Sequence, residues 1–186
     1  IYGHFYEVVK AQTITWDEAN ADAAITLRCG QPAHLATITT PEEDQFIYGL
    51  HSAVDFPPNP AAVGENDWWW RYPVECWLGG FQTPGAATPA DNWQWVNGEG
   101  PVNYVNWLPG EPNDIAGGGH ENRLGFGIWR AFAWNDEGNP LMIAGYILEW
   151  DVEAVVSICG TSTGVPNVVI DPSTYCTLSE IGRAHV

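Results

Sequence analysis

The helix signals in this chain all fall before residue 53, and the remainder is an aromatic-rich succession of short strand patterns cut by glycine and proline. Thr15 stands three residues before Glu18, a capping box, and Trp16, Ala19, Ala23 and Leu27 come next at helical spacing until Cys29-Gly30 ends the pattern. Thr40-Pro41-Glu42-Glu43 repeats the start signal, with an N-cap threonine, a proline where the first-turn N–H would be orphaned anyway, and acids that complement the helix dipole. This predicts a first helix to about Cys29 and a second from Thr40 to about Leu50. Tyr2 to Val9 alternates as a leading strand, Val74 to Phe81 reads as a core strand, and Trp93-Gln94-Trp95-Val96 runs into the hairpin signal Asn97-Gly98. Gly125 to Ala133 and Ala144 to Trp150 are two further strand candidates, separated by Glu137-Gly138-Asn139-Pro140. Helices gathered at one end of a run of strands predict an α+β fold rather than alternating β-α-β units.

Composition narrows the functional classes. With 6 Lys+Arg against 23 Asp+Glu the net charge is −17, so the chain lacks the basic stripe needed to displace counterions from nucleic-acid phosphates or to hold an anionic membrane surface. Eleven tryptophans and 45% hydrophobic residues supply an aromatic core, and no run of 18 apolar residues predicts membrane insertion. No basic segment leading into an apolar one opens the chain, which fits either a cytosolic protein or a processed mature form. Four cysteines, Cys29, Cys76, Cys159 and Cys176, lack the Cys-x-x-Cys spacing of a zinc site and favour disulfides and export. His34, a lone histidine beside a strand, reads as a packed or capping residue rather than a ligand.

Residues 107–136 concentrate oxygen-bearing side chains among glycines and prolines that force loops: Glu111, Asn113, Glu121, Asn135 and Asp136. A hard cation such as Ca²⁺ takes six to eight oxygen ligands from carboxylates, amide carbonyls, backbone and water, so this set is a candidate Ca²⁺ site. The stretch 135–140 is not an EF-hand loop, because proline occupies the position that needs glycine. Catalytic motifs are missing: His120-Glu121 lacks the second histidine of His-Glu-x-x-His, and no Gly-x-Ser-x-Gly occurs, so a non-enzyme is expected.

The order of signals, two capped helices, then Trp77-Leu78-Gly79-Gly80, then Glu111-Pro112-Asn113, then Glu121, then Trp134-Asn135-Asp136, resembles the C-type lectin domain, in its Glu-Pro-Asn, mannose/glucose-type form and as a bacterial-like variant. The resemblance covers roughly Tyr6 to Trp150. It implies two helices, two small antiparallel sheets and a long calcium-binding loop region. It further implies that Glu111, Asn113, Glu121, Asn135 and Asp136 ligate one Ca²⁺. Glu111, Asn113, Glu121 and Asn135 would also hydrogen-bond vicinal equatorial hydroxyls of mannose, glucose, N-acetylglucosamine or fucose. A cis Glu111-Pro112 bond is a further expectation. The family's usual disulfides do not carry over, since Leu148 and Arg123 stand near the expected cysteine positions and only Cys29 is placed as in the family. The partners available suggest Cys29-Cys76 and Cys159-Cys176, one of three pairings that four cysteines allow. The triple glycine Gly117-Gly118-Gly119 leaves Glu121 either correctly placed or swinging.

The expected organisation is a lectin-like domain over residues 1–151 with a loop insertion at about 55–73, a cysteine-containing tail at 152–179, and a terminal Glu-Ile-Gly-Arg-Ala-His-Val at 180–186. That last heptapeptide is what a common sequencing adapter encodes when read through, and it is set aside as an artefact. The cluster Trp68-Trp69-Trp70 in the insertion is either core or a stacking platform. The expected function is calcium-dependent carbohydrate binding by a secreted protein with glycan partners. A different class, a secreted assembly subunit in which Ca²⁺ stabilises a loop and copies pack together, remains as the alternative.

Overall fold

The computed structural model of the protein describes residues 2–28, 30–59, 73–115 and 119–153. The element order is β1 (Tyr2–Lys10), α1 (Trp16–Ile25), β2 (Leu27–Arg28), β3 (Gln31–Pro32), β4 (His34–Leu35), α2 (Pro41–Ser52), β5 (Glu75–Gln82), β6 (Trp93–Trp95), β7 (Arg123–Phe126), β8 (Trp134–Glu137) and β9 (Ile143–Glu153). The α+β class stands. Seven strands form one sheet in the order β1-β9-β5-β7-β8, with β4 also on β9 and β6 also on β5, while β2 and β3 make a separate two-stranded ribbon. β1 and β9 pair antiparallel from Tyr2↔Glu153 to Lys10↔Gly145, so the two ends of the domain close on each other. β5 runs parallel to β9 and antiparallel to β7, and β7 in turn pairs antiparallel with β8.

Both helices begin where the capping residues place them. Thr15 accepts from the Glu18 amide while the Glu18 carboxylate accepts from the Thr15 amide, the reciprocal capping box, and the Thr40 side chain accepts from the Glu43 amide. The first helix ends earlier than its hydrophobic spacing predicts. Thr26 turns extended, its hydroxyl and amide both bonding back to Asp22 O, and Leu27 goes into β2, where it is largely exposed instead of continuing the buried face. The strand expected over Gly125 to Ala133 is likewise corrected. It begins at Arg123 and stops at Phe126, because Gly127 (φ 79°), Trp129 (φ 51°) and Arg130 (φ 60°) are left-handed and form a tight turn before β8.

The core has two lobes. One packs Trp16, Ala19 and Ala23 of α1 against Phe5, Trp77, Tyr146, Leu148 and Trp150, and the other packs Ile47 of α2 with Leu78, Trp93, Trp95, Leu124, Phe126, Trp134 and Ile147. Buried indoles need a partner for Nε1–H, and three of these find a backbone acceptor: Trp16 donates to Leu78 O at 2.8 Å, Trp77 to Ile14 O at 2.9 Å and Trp93 to Pro89 O at 2.8 Å. Gly79 and Gly80 let β5 pass close beneath its neighbours; a Cβ at Gly79 would sit 2.5 Å from Leu35 O and one at Gly80 2.6 Å from Leu124 Cδ1. The Trp-Leu-Gly-Gly motif is therefore a packing device.

Cys76 is a free thiol, completely buried in the second lobe, and burial pushes it well above the usual thiol range. The expected Cys29-Cys76 bond involves a residue outside those described; the β5 pleat turns Cys76 inward to pack as a small apolar side chain. Cys29, Cys159, Cys176, Trp68-Trp69-Trp70 and residues 180–186 lie outside the described residues.

Candidate functional site

The long connection between β6 and β7 is pinned to β8 before it reaches the Glu-Pro-Asn motif. Trp134 donates its amide to Asn106 O at 2.7 Å, and Leu108 donates to Trp134 O at 2.9 Å. Behind this seam stands Asp44 of α2, fully buried, accepting from Trp134 Nε1 (3.0 Å), Tyr104 Oη (2.8 Å) and Asn106 Nδ2 (2.8 Å). Burial raises the Asp44 carboxyl above its ordinary value, and these three donors pull against that rise. One helix thus fixes both the entry to the loop and the strand that carries Asn135-Asp136.

The Glu111-Pro112 peptide is cis. Immediately after it, the loop folds onto β8. Asp136 accepts from the Asn113 amide at 2.9 Å and the Asp114 amide at 2.7 Å, so its carboxylate terminates the motif. The structure brings Glu111, Glu121 and Asp136 into one electrostatic cluster. Burial raises the Glu111 carboxyl to about 7, and the Asp136 charge, a hydrogen bond shared with Asp136 and the Glu121 charge push the same way. Glu121 is raised as well, chiefly by burial and also by Asp136, while the Ile115 amide donating to its Oε2 at 2.5 Å opposes this.

Glu121 is tied into the loop at both ends, its Oε2 accepting from the Ile115 amide and its own amide donating to Asp114. The residue that holds its segment is Asp114, which spacing alone did not single out. Asp114 sits at φ 43° and its carboxylate accepts from the amides of Gly119 (2.7 Å), His120 (3.0 Å) and Glu121 (3.1 Å), bridging the gap around the glycine run. Those amides hold the Asp114 carboxyl below the ordinary range. An acid directly after Glu-Pro-Asn was visible in the sequence; its use as a loop clamp was not, because amide partners five to seven residues away depend on the turn.

Asn135 is buried on β8 beside a second pair of acids that the sequence reading missed. Glu75 of β5 is fully buried with no hydrogen-bond partner within normal contact geometry on either oxygen, and burial together with the Glu137 charge drives its carboxyl well above the usual range. Asn135 provides an opposing, lowering influence on Glu75. Glu137, also buried, accepts from the amides of Gly138 (2.8 Å) and Asn139 (2.6 Å), and burial carries it up to about 7. Gly125 on β7 leaves the space for Glu75, since a Cβ there would meet Glu75 Oε1 at 1.8 Å.

The donor set at the loop is all oxygen, which suits Ca²⁺, and Glu111 Oε2 is buried without a hydrogen-bond partner, as an oxygen reserved for a cation would be. Glu111, Glu121 and Asp136 do not close to within 4.8 Å of one another; among the described residues that convergence occurs elsewhere, at His4, Glu149 and Asp151. Beside the loop a groove of about 460 Å³ runs between Gln82–Pro89 and Asp114, Gly119 and Asn122.

No family model matches the chain. Curated proteins that align with it include Halomucin of Haloquadratum walsbyi, 27% identical over 173 residues that make up 89% of this chain and 2% of that protein, and the Type-2 ice-structuring protein of Brachyopsis segaliensis, 28% identical over 106 residues, 57% of this chain and 45% of that protein. The chain therefore spans less than half the length of either relative. Among solved structures, the C-type lectin CEL-I from Cucumaria echinata superposes with a TM-score of 0.56 at 17% identity, covering 78% of this chain and 89% of that one. The mouse scavenger receptor C-type lectin carbohydrate-recognition domain gives 0.55 at 23%, covering 82% and 91%. A Ca²⁺-dependent type II antifreeze protein in its Ca²⁺-free form gives 0.52 at 18%, covering 79% and 91%. The fold is C-type lectin-like, and proteins that share it include both lectins and antifreeze proteins.

Proposed function

We propose that this domain binds carbohydrate in a calcium-dependent manner, with Glu111, Asn113, Glu121, Asn135 and Asp136 as metal ligands and Glu111, Asn113, Glu121 and Asn135 as the sugar-contacting set. The observation that carries the reading is the docking of the Glu111-Pro112-Asn113 turn onto Asp136, next to an orphaned Glu111 oxygen, with the Glu111 and Glu121 carboxyls raised by burial and by the Asp136 charge. Bound there, Ca²⁺ would supply the positive charge that relieves this repulsion and coordination positions for two sugar hydroxyls. The protein's own groups do the rest. A carboxylate has more lone pairs than one metal uses and can accept from a hydroxyl, while an asparagine NH₂ donates to it, so alternating acceptors and donors select the direction of a vicinal pair. The order Glu111 then Asn113 favours the equatorial pair of mannose, glucose, N-acetylglucosamine or fucose over galactose, because a misoriented hydroxyl leaves a polar group unpaired. Binding rather than catalysis is the activity, and an extracellular setting supplies both millimolar Ca²⁺ and glycans.

The test is retention of the full chain on immobilised mannan, with Ca²⁺ and with EDTA. Retention lost in EDTA, and shifted towards galactose by Glu111→Gln with Asn113→Asp, is expected. An array of such sugars on which no calcium-dependent binding is seen refutes the reading. Inhibition of ice recrystallisation without glycan binding would move the assignment to the antifreeze branch of the fold, and concentration-dependent self-association without glycan would favour an assembly subunit.

A further inference from the structure

At the end of the strand order away from β8, three adjacent strands bring two histidines to either side of two acids. β1 pairs His4 opposite Asp151 and Tyr6 opposite Glu149, and β4 pairs His34 opposite Glu149, so with the two-residue period of a strand His4, Asp151, Glu149 and His34 gather on one face. His4 Nδ1 lies 2.7 Å from Glu149 Oε1 and 2.9 Å from Asp151 Oδ1. These three ligand atoms all lie within 4.8 Å of one another. A single ring N–H donates well to one carboxylate, yet here two are aimed at the same nitrogen.

The carboxylates are aimed because their other oxygens are fixed. Glu149 Oε2 accepts from the Thr37 amide at 2.8 Å and the Thr37 hydroxyl at 3.0 Å. Asp151 Oδ2 faces His34 Nε2 at 3.3 Å. His34 Nδ1 lies 2.9 Å from Leu35 O, so both ring nitrogens face acceptors, and the protonated ring donates through Nδ1 to that carbonyl and through Nε2 to Asp151 Oδ2. A ligand carboxylate held by an outer partner, and an imidazole that spends one N–H on a backbone carbonyl, are the usual supports of a protein metal centre.

We propose that His4 Nδ1, Glu149 Oε1 and Asp151 Oδ1 form a second cation site, selective for a borderline divalent transition metal such as Zn²⁺ rather than Ca²⁺. His34 and Thr37 act as positioning residues. The imidazole sets the preference, because nitrogen suits Zn²⁺, Co²⁺ or Ni²⁺ and a hard cation does not need it. The fit requires little movement. Tetrahedral bonds of about 2.0–2.2 Å separate ligand atoms by about 3.4 Å, so His4 Nδ1 moves about 0.5–0.7 Å away from each carboxylate oxygen, now 2.7 and 2.9 Å from it. Side chains of His4 and Asp151 are 42% and 57% exposed, which leaves the ion an entry path and at least one position for water or an exogenous ligand. Strand-borne ligands on one rigid sheet keep this geometry without any loop ordering.

The experiment titrates the full chain with Zn²⁺ by calorimetry in excess Ca²⁺, which keeps the oxygen-only loop occupied, and repeats it with Co²⁺ monitored by visible absorption. One equivalent should bind, His4→Ala and Asp151→Asn should each weaken it by more than tenfold, and Glu111→Gln should leave it unchanged. His34→Gln should weaken binding about 10- to 100-fold while shifting the Co²⁺ bands, as an outer partner does. His4 is exposed on an edge of the fold and its alanine variant keeps the backbone pairing, so circular dichroism should be unaltered. Displacement of Zn²⁺ by Ca²⁺, or Zn²⁺ binding that His4→Ala and Asp151→Asn leave intact, would overturn the proposal. So would the absence of saturable binding.

Discussion

Replacing Asp44 by alanine removes a buried carboxylate that ties α2 to the loop entry and to β8. Its carboxylate accepts three hydrogen bonds, from Trp134, Tyr104 and Asn106. The three donors do not lose equally. Tyr104 and Asn106 are only partly buried and can turn to water, whereas Trp134 is completely buried and its indole N–H would be stranded. A stranded buried donor costs about 1–3 kcal/mol, and the truncated side chain leaves a small void worth about 1 kcal/mol more. The expected loss is about 3 kcal/mol, a large share of the roughly 5–15 kcal/mol that holds a domain together. For a chain of this size that is a fall in Tm of about 6–12 °C. Urea denaturation read by tryptophan fluorescence, run in EDTA so that metal binding does not add to stability, measures it. Asp44→Asn should lose less, since its one oxygen can still serve the indole. The control is Asp17→Asn, whose side chain is 79% exposed and makes a single 3.3 Å pair with Arg123, an interaction of under about 1 kcal/mol. An Asp44→Ala midpoint indistinguishable from that control would refute the account of how the site is anchored.

The acids around the site give two more expected outcomes. Glu111 and Glu137 have folded-state values raised from 4.5 to about 7, so the stability they contribute is fully present below about 4.5 and is lost as pH rises through about 7; metal-free protein should therefore melt at lower temperature at pH 7.5 than at pH 5, and saturating Ca²⁺ should shrink the difference, because Glu111 is a proposed ligand and Glu137 is not. Gly125→Ala should destabilise the fold by about 2–4 kcal/mol, because its Cβ would displace the Glu75 carboxylate from 1.8 Å; adding Glu75→Ala should restore part of the loss in denaturant midpoint, and no restoration would show that the clash lies elsewhere.

Local rules in the sequence were sufficient for what depends on neighbours along the chain. Thr15 and Thr40 start helices because their hydroxyls reach amides three residues on, and period two in Trp93-Gln94-Trp95 makes a strand before Asn97-Gly98 whatever packs beside it. The Glu-Pro-Asn turn and the Trp-Asn-Asp strand were legible as one oxygen-rich set, and the structure does lay the first against Asp136 of the second. Tertiary structure decided whatever needed partners distant in sequence. Leu27 leaves the helix for a ribbon with Pro32, Cys76 faces inward as a free thiol, and Asp114 becomes the clamp on Glu121's segment. The buried pair Glu75 and Glu137, and the gathering of His4, His34, Glu149 and Asp151, arise only when β5 passes behind Gly125 and when β9 runs between β1 and β4. A carboxylate's charge state is set by the dielectric and the charges around it, and strand pairing across more than a hundred residues creates that environment.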